Sequence, residues 1–280
     1  MSDASPEPFS PQNLASIARH PQFPTAVRAW ARDSLAGFAG LDPIGRWLRS
    51  DLGRTALSAT TLALAAEGRL TSRALEVQAA KTGVASRGRV RTFIERARAY
   101  LLLAPIATDA GLDTPLGVSE GYIRRMTDHL PIVLASAALV FPELAAAAAR
   151  SNDLGFRLRV SAWVAALMVA RPHLFPIADT PVRQLQAHDG GMRVLEAWIA
   201  AQPAHAPFLL GPCVLSRAAL ARASFCSRTH IRRLLTGAHT QGLLAIEGDQ
   251  LTAAPALCAD VERYYALLFV TMREAACATL

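Results

Sequence analysis

Arginine side chains are concentrated in two short segments of the chain, and each segment opens with a serine. The first group comprises Ser86, Arg87, Arg89, Arg91 and Arg96. The second group comprises Ser227, Arg228, Thr229, His230, Arg232 and Arg233. A guanidinium group donates two parallel hydrogen bonds to O6 and N7 of guanine, and it also neutralises phosphate charge. This chemistry favours a nucleic-acid ligand, although a run of charge is more often a solvated helix face.

The two segments are copies of one pattern at an offset of 141 residues. This offset places Ser86, Arg87 and Arg91 on Ser227, Arg228 and Arg232. Apolar residues recur at i, i+3, i+4 and i+7 in both copies; they are Val90, Phe93, Ile94 and Ala97, then Ile231, Leu234, Leu235 and Ala238. The spacing predicts two helices that each bury one face and leave the arginines exposed. Each serine lies where an N-cap satisfies the free amides of the first helical turn.

Each copy is predicted to be a helix-turn-helix followed by a β-hairpin. The preceding helices are 72–82, which ends before Gly83, and 216–223, which ends before a turn at 224–226. In the second copy, apolar residues 243–247 lead through Gly248 and Asp249 into 250–252, which is typical of a tight hairpin. In the first copy, strands at 101–106 and 116–119 flank a looser turn at 109–111. A second helix with arginines at its N-terminal end is the element that enters a major groove in such motifs.

The second copy, LSRAALARASFCSRTHIRRLLTGAHTQGLLAIEGDQLTAAPAL, resembles the helix-turn-helix and wing of bacterial winged-helix regulators of the MarR type. The stretch GVASRGRVRTFIERARAYLLL of the first copy resembles the same second helix. The resemblance implies that both arginine groups line a major groove or its flanking phosphates. It also implies a fused pseudo-dimer, since regulators of this type usually act as dimers of one such unit. The wings depart from the pattern because Asp109, Asp113 and Asp249 make their tips acidic, which argues against minor-groove contact.

The composition of the 280-residue chain predicts a mainly α fold. The chain is 52% hydrophobic with 6% aromatic residues, so packed helices rich in alanine and leucine are favoured over a sheet sandwich. The formal net charge is +7 and the isoelectric point is about 9.9, which points to a polyanionic partner. Only Lys81 among the 29 basic residues is a lysine, a bias that a GC-rich coding sequence also produces. The four cysteines show no metal spacing and the N-terminal residues do not resemble a signal peptide, so we expect a cytoplasmic, nucleoid-associated protein.

Four regions are expected along the chain. Residues 1–52 form an arm, irregular to about residue 24, and helices at 25–35 and 43–52. Residues 53–128 form the first winged-helix unit, and residues 191–280 form the second with a C-terminal helix. Central helices at 131–149 and 155–170 and a linker at 171–181 fill the region 129–190. The expected architecture is therefore tandem winged helix-turn-helix units with small β-hairpin wings, joined by apolar helices.

Two apolar segments bear on membranes and on oligomers. The run at 131–149 is interrupted by Pro142 and Glu143, so we expect a buried helix pair and no membrane contact. One face of the C-terminal helix carries Val261, Tyr264, Leu268 and Met272, which fits a core role better than a homodimer seam.

Motifs of catalysis and of cofactor binding are absent from the sequence. It has no phosphate-binding loop, nucleophile elbow, zinc-protease helix or dinucleotide fingerprint, and its seven histidines are scattered. We therefore expect no enzyme activity, no cofactor and no metal. Cys226, near the N-terminus of a predicted helix, suggests a redox sensor with a lowered pKa, but its counterpart Ala85 argues against that role. A cleft between the central helices and the winged-helix units is a place for a small apolar effector, but the sequence shows no polar group that defines one.

These observations lead to the hypothesis of a sequence-specific transcriptional regulator that binds double-stranded DNA through two winged-helix units. A homodimer and a small-molecule effector are compatible with it. The first alternative is a replication initiator with tandem winged helices, which would bind iterated origin repeats. The second is a protein-interaction module of the segregation or polymerase-associated kind, although a partner-binding unit has no need for two matched basic helices.

Overall fold

The structure is a computed structural model that describes residues 7–106, 111–174 and 180–280. The first helices of the described part are α1 (Pro11–Ala18), α2 (Phe23–Gly40), α3 (Pro43–Leu48), α4 (Leu52–Ala66), α5 (Ser72–Thr82), α6 (Arg87–Ala99), α7 (Glu120–Thr127) and α8 (Leu130–Ala137). The later helices are α9 (Ala145–Ala149), α10 (Leu154–Ala170), α11 (Pro181–Gln186), α12 (Gly191–Ala200), α13 (Arg217–Ser224), α14 (Arg228–Thr240) and α15 (Pro255–Thr279). Two short 3-10 helices lie at Pro142–Leu144 and Pro172–Leu174. The expectation of a mainly α fold is confirmed.

Two small antiparallel sheets accompany the helices. Their strands are β1 (Leu103–Pro105), β2 (Leu116–Val118), β3 (Cys213–Val214), β4 (Leu244–Glu247) and β5 (Gln250–Ala253). Strand β1 pairs with β2 so that Leu103 faces Val118, and the second sheet has the order β3-β5-β4. Both hairpins lie where the sequence predicts them, and Gly248 turns the second one with a φ of 63°. The predicted turn residues Asp109 and Ala110 lie outside the described residues.

The repeat is reproduced by the fold at the same offset of 141 residues. Helices α6 and α14 each have 13 residues with equivalent limits, and β1 and β4 begin at equivalent positions. The predicted buried faces are confirmed, since all eight apolar residues of the two stripes are at most 5% exposed. Each helix buries this face because the apolar side chains recur once per turn. The amides of Leu102 and Leu243 also close equivalent turns, donating to Ala97 and Ala238 at 2.9 Å.

The element order is similar in the two halves. In the second half, α12 is followed by β3, α13, α14 and the β4–β5 hairpin. In the first half, α4 is followed by α5, α6 and the β1–β2 hairpin, and an isolated bridge from Thr71 to Pro115 lies where β3 lies in the second half. Each half therefore contains a helix, a helix-turn-helix and a hairpin in the same order along the chain.

Two hydrophobic cores underlie these halves. The first is centred on Leu57, Leu75, Phe93, Leu103 and Tyr122. The second is larger and contains side chains from α1, α2, α8 to α10 and α11 to α15, among them Phe23, Trp198, Ile231, Tyr265 and Phe269. Helix α10 packs against α4 on one side and against α15 on the other, so it connects the halves.

The expectation of an irregular N-terminal arm is wrong for the described residues. Helix α1 begins at Pro11, where a missing amide is tolerated, and Oγ of Ser10 accepts a hydrogen bond from the amide of Asn13. Phe9, Leu14 and Ile17 are buried in the second core. Proline content alone therefore failed to predict this capped helix. Proline is favoured at the first position of a helix and disrupts a helix only in its interior.

The central helices also differ from the expected pair. Residues 131–149 do not form one helix, because α8 ends at Ala137 and a 3-10 helix at Pro142–Leu144 precedes the short α9. Pro142 lacks the amide that would continue the ladder of α8. Within the described residues no helix is both long enough and apolar enough to cross a bilayer.

The predicted inward face of the C-terminal helix packs within the chain. On α15, Val261 and Met272 are buried, and Tyr264 and Leu268 lie against the same core. This helix packs against α1, α8, α10 and α11.

Candidate nucleic-acid interface

Helix α14 is held on the second core by its buried face and begins at a hydrogen-bonded cap. Oγ of Ser227 accepts a hydrogen bond from the amide of His230 at 3.1 Å, which satisfies a free donor of the first turn. Because successive residues are about 100° apart, the direction opposite the buried face is occupied by residues one turn apart. These exposed residues are Thr229, Arg233, Thr236 and Thr240. The outward stripe thus carries one guanidinium group among three hydroxyl groups.

Three arginines of α14 carry uncompensated positive charge. Arg228, Arg232 and Arg233 are exposed, and in the described ranges none of their side chains forms an ion pair or hydrogen bond. Arg222 on α13 is exposed in the same way. Unpaired arginines on an exposed helix are available to an external anion at no cost in broken contacts.

Helix α6 differs because most of its arginines are bonded within the chain. Nη2 of Arg89 lies 2.5 Å from Oδ1 of Asp51, and Nε of Arg91 lies 3.0 Å from Oε1 of Glu76. The guanidinium carbon of Arg96 lies 4.6 Å from the ring centroid of Trp47. Of the five predicted residues in this copy, Arg87 is exposed with no side-chain partner in the described ranges, and Ser86 caps the helix by accepting from the amide of Arg89.

The outward stripe of α6 is also different from that of α14. The exposed residues equivalent to Thr229, Arg233, Thr236 and Thr240 are Gly88, Thr92, Glu95 and Ala99. This stripe has no arginine and contains one carboxylate. The two helices therefore share backbone limits and caps but present opposite electrostatics in the direction that faces away from the core.

The first turns of α6 and α14 are connected by one polar network at the junction of the halves. Arg89 and His230 are equivalent in the repeat, and each contacts the beginning of an earlier helix. Arg89 bonds Asp51, the N-cap of α4, while Nε2 of His230 lies 2.8 Å from the backbone oxygen of Asp189, just before α12. Arg54 joins the two sides by bonding both Asp51 at 2.5 Å and Asp189 at 2.6 Å.

Backbone contacts strengthen the same junction. The amide of Gly190 donates to the backbone oxygen of Ser50 at 3.1 Å. Gly190 has a φ of 72°, and a β-carbon there would lie 2.7 Å from Sγ of Cys226, so only glycine fits against the turn of the second helix-turn-helix. The beginnings of α4 and α12 are therefore fixed next to each other.

The electrostatics of Asp51 match its central position. Burial raises the pKa of its carboxyl, but hydrogen bonds from the amide and side chain of Arg54, with the charges of Arg54 and Arg89, outweigh burial and hold the pKa below its ordinary value. Asp51 is therefore ionised at neutral pH and holds both arginines.

The turn between α13 and α14 is anchored on the N-terminal helices. Phe225 ends α13 in the left-handed region with a φ of 55°. Its ring lies 5.9 Å from that of Phe38 on α2, and the guanidinium carbon of Arg46 on α3 lies 4.6 Å from its centroid. Residues expected to belong to a separate N-terminal region thus position the second helix-turn-helix.

The acidic residues predicted at the wing tips occupy exposed positions where the structure describes them. Asp249 is at the tip of the β4–β5 hairpin, and Asp113 is bonded to Arg73 at 2.7 Å. Asp109 lies outside the described residues. An exposed carboxylate at the second tip disfavours contact with phosphates there.

No protein-family model, curated protein or solved structure matches this chain. What the interface binds is therefore inferred from its own geometry and charge.

Several contributors were missed from the sequence. Asp51 and Asp189 hold predicted site residues but lie 38 and 41 positions from them in the chain, and no local pattern signals such a contact. Thr236, in contrast, follows from the helical spacing of the exposed face, so the same periodicity that located the buried stripe could have identified it.

The redox role considered for Cys226 is not supported by its surroundings. Burial raises the pKa of its thiol, which opposes thiolate formation.

Among the described residues no group of three or more His, Cys, Asp or Glu side chains is placed to hold a metal ion.

Proposed function

We propose that this chain is a sequence-specific transcriptional regulator that binds double-stranded DNA through two winged helix-turn-helix units. The order of helix, helix-turn-helix and hairpin, present in both halves, supports the assignment of winged-helix units. The sequence resemblance to regulators of the MarR type points in the same direction. The two units act as one fused pseudo-dimer, because the beginnings of α4 and α12 are bonded to each other.

One observation carries the proposal: Arg228, Arg232 and Arg233 are exposed on α14 without an internal partner. In such an arrangement the helix enters the major groove, where Arg233 and its neighbouring threonines contact base edges. Arg228 and Arg232, on the flanks of the same face, neutralise phosphates. If these three arginines were paired with carboxylates of the chain, they would be less available to contact DNA.

Helix α6 makes different contacts in the proposed complex with DNA. Its outward stripe lacks arginine, and Arg89 and Arg91 are held by Asp51 and Glu76. We infer that α6 contributes phosphate contacts, chiefly through Arg87, while α14 supplies most of the sequence selectivity. A bound site should then contain one strongly specified half and one weakly specified half.

The experiment is selection of bound duplexes from a randomised pool by the full chain, at two salt concentrations, followed by sequencing. Enrichment of a motif with one dominant half supports the proposal. Iterated related repeats would favour a replication initiator. Binding that selects no motif and weakens steeply with salt would contradict sequence-specific regulation, since it reflects phosphate contacts alone.

A second candidate function is favoured by the first hairpin. Leu101 and Ile106, on either side of β1, are 82% and 72% exposed. Exposed apolar side chains beside a helix with neutralised arginines are compatible with a protein partner for the first half. Failure of the chain to bind any duplex, together with saturable binding of a partner that is lost in Ile106→Ser, would favour this function over DNA binding.

A further inference from the structure

A cavity of about 290 Å³ lies between the two halves of the chain. It is lined by residues of α2, α4, α7, α8, α10, α11, α12 and α15. This volume is close to the lower end of those that bind small organic ligands. No residue of α6 or α14 lines the cavity, so it is distinct from the exposed arginines described above.

Its walls are largely apolar and adaptable. Four of the lining side chains are methionines, Met126, Met168, Met192 and Met272, and they are all the methionines of the chain except Met1. Methionine is flexible and polarisable, so it fits ligands of varied shape. The concentration of methionine at this one place indicates a surface that adjusts to an apolar guest.

The cavity also contains positive charge that the chain compensates only in part: Glu196 and Asp128 attract Arg49, and Asp260 attracts Arg183, but none of them forms an ion pair with these two arginines. Two lining ion pairs, Arg193 with Glu196 and Arg263 with Asp260, balance themselves. A third lining carboxylate, Asp51, is bonded to Arg54 and Arg89. The remaining lining arginines, Arg49 and Arg183, have no carboxylate within ion-pair distance among the described residues, and Arg183 bonds only Gln186.

The environment of these two arginines is unfavourable to their charge. Burial, followed by repulsion from Arg193, lowers the pKa of Arg49 to about 10. Burial lowers the pKa of Arg183 as well. Both side chains are half-buried. A partly desolvated cation without an ion-pair partner is costly, and an anion within the same cavity would offset that cost.

An unsatisfied hydroxyl group faces the same space. Thr271 lines the cavity, is 2% exposed, and its Oγ1 has no hydrogen-bond partner in the described part of the chain. Buried hydroxyl groups are nearly always hydrogen-bonded, so an unpaired one points to a ligand that supplies the missing hydrogen bond.

We propose that this cavity binds a small, largely apolar organic anion. Arg49 and Arg183 supply the positive charge for its carboxylate, Thr271 is available for a hydrogen bond, and the methionines enclose its apolar part. The methionine-rich apolar lining excludes a compact, fully hydrated ion such as phosphate as the preferred guest.

The position of the site suggests what occupancy changes, and this second step rests on the proposed DNA-binding function. Arg49, Ser50 and Asp51 are consecutive lining residues. Ser50 binds Gly190 before α12, and Asp51 binds Arg89 of α6. A guest that moves this segment alters the spacing of α6 and α14, and with it the affinity for DNA.

The test uses octanoate and 2-naphthoate as flexible and flat organic anions, with octan-1-ol as the uncharged control. Isothermal titration calorimetry of the full chain without DNA is expected to show one saturable site for at least one anion. Arg49→Met and Arg183→Met should each weaken anion binding about tenfold or more, the usual loss when a charge-assisted hydrogen bond is removed. Octan-1-ol binding should change by less than about twofold, because both variants retain an apolar chain.

Two further variants keep the test independent of folding defects. Ala59→Leu places bulk at the cavity wall and should abolish binding of all three compounds, whereas Arg98→Gln on the exposed face of α6 should leave binding unchanged. Absence of binding by both anions, or equal binding in the wild type and both arginine variants, overturns the site.

The linkage to DNA is measured separately. A saturating anion should change the affinity for the selected duplex about fivefold or more in the wild type and not in Ala59→Leu. Anion binding with no change in DNA affinity overturns the linkage alone. A chain that binds the anion but no duplex refutes the proposed function and leaves the cavity site standing.

Discussion

Arg89 and His230 occupy the same position of the repeat, and each is bonded to a residue at the beginning of a helix that precedes its own helix-turn-helix. Arg89 contacts the carboxylate of Asp51, and His230 contacts the backbone oxygen of Asp189. Arg54 connects the two acceptors. The first turns of both second helices are thus joined by one junction, while their apolar faces pack on separate cores.

Asp51 is expected to be the most sensitive residue of this junction. Asp51→Ala removes the N-cap of α4 and the partner of two arginines, so we expect the free energy of unfolding to fall by about 2 kcal/mol or more. Chemical denaturation at pH 7 measures this. Asp113→Ala, which removes an exposed ion pair with Arg73, is the matched control and should leave stability unchanged. Equal effects of the two variants would contradict the central role of Asp51.

The matched pair Arg232 and Arg91 tests the difference between the two helices. Arg232→Ala should lower affinity for the selected duplex about tenfold and reduce the salt slope by about 1, because a phosphate contact is lost. Arg91→Ala should have a much smaller effect, since Glu76 already bonds this side chain at 3.0 Å. Binding measured by fluorescence anisotropy at three salt concentrations separates the two. Equal losses would show that α6 and α14 contribute alike.

Leu101 adopts a left-handed backbone conformation at a position where the second copy of the repeat has a glycine. Its φ is 55°, the equivalent Gly242 has a φ of 71°, and the leucine side chain is 82% exposed. Leu101→Gly should therefore stabilise the chain by about 1 kcal/mol, since left-handed strain is removed and little burial is lost. Gly242→Leu should destabilise it by a similar amount. Thermal melting of both variants checks this, and a lower melting temperature for Leu101→Gly would refute the assignment of strain.

His129 beside the cavity predicts a loss of stability in mild acid. Burial, with repulsion from Arg49, lowers its pKa to about 3, so the folded chain keeps the ring neutral while the unfolded chain protonates it near pH 6.5. Between these values the unfolded state binds more protons, and stability falls as the pH is lowered from 6.5. The contribution is at most about 1.4 kcal/mol per pH unit. Denaturation between pH 7 and pH 5 should show a shallower dependence in His129→Gln; an unchanged slope would assign the acid sensitivity elsewhere.

Arg49 should cost stability in the ligand-free chain. Arg49→Met replaces a half-buried cation, which forms no ion pair among the described residues, with an apolar side chain of similar length, and we expect the free energy of unfolding to rise by about 1 kcal/mol. Thermal melting without added anion measures the change. A destabilised variant would indicate that the guanidinium group already has a favourable internal environment.

The sequence by itself determined the local structure of the repeat. The i, i+3, i+4, i+7 stripes, the serine caps and the Gly248 turn located α6, α14 and the second hairpin, because these signals act between residues a few positions apart. The helical nature of α1 was missed because its prolines were read as breakers, although Pro11 stands at a helix start.

The tertiary structure alone decided which arginines are free and where the cavity lies. The sequence assigned Arg89 and Arg91 the same role as Arg228 and Arg232, and they differ because Asp51 and Glu76 are brought to Arg89 and Arg91 across the fold. The cavity gathers side chains from eight helices, and Arg49 and Arg183 share it despite their distance along the chain. Periodicity reports which face of a helix is buried, but pairing of charges depends on which helices become neighbours, and that is settled only when the cores pack.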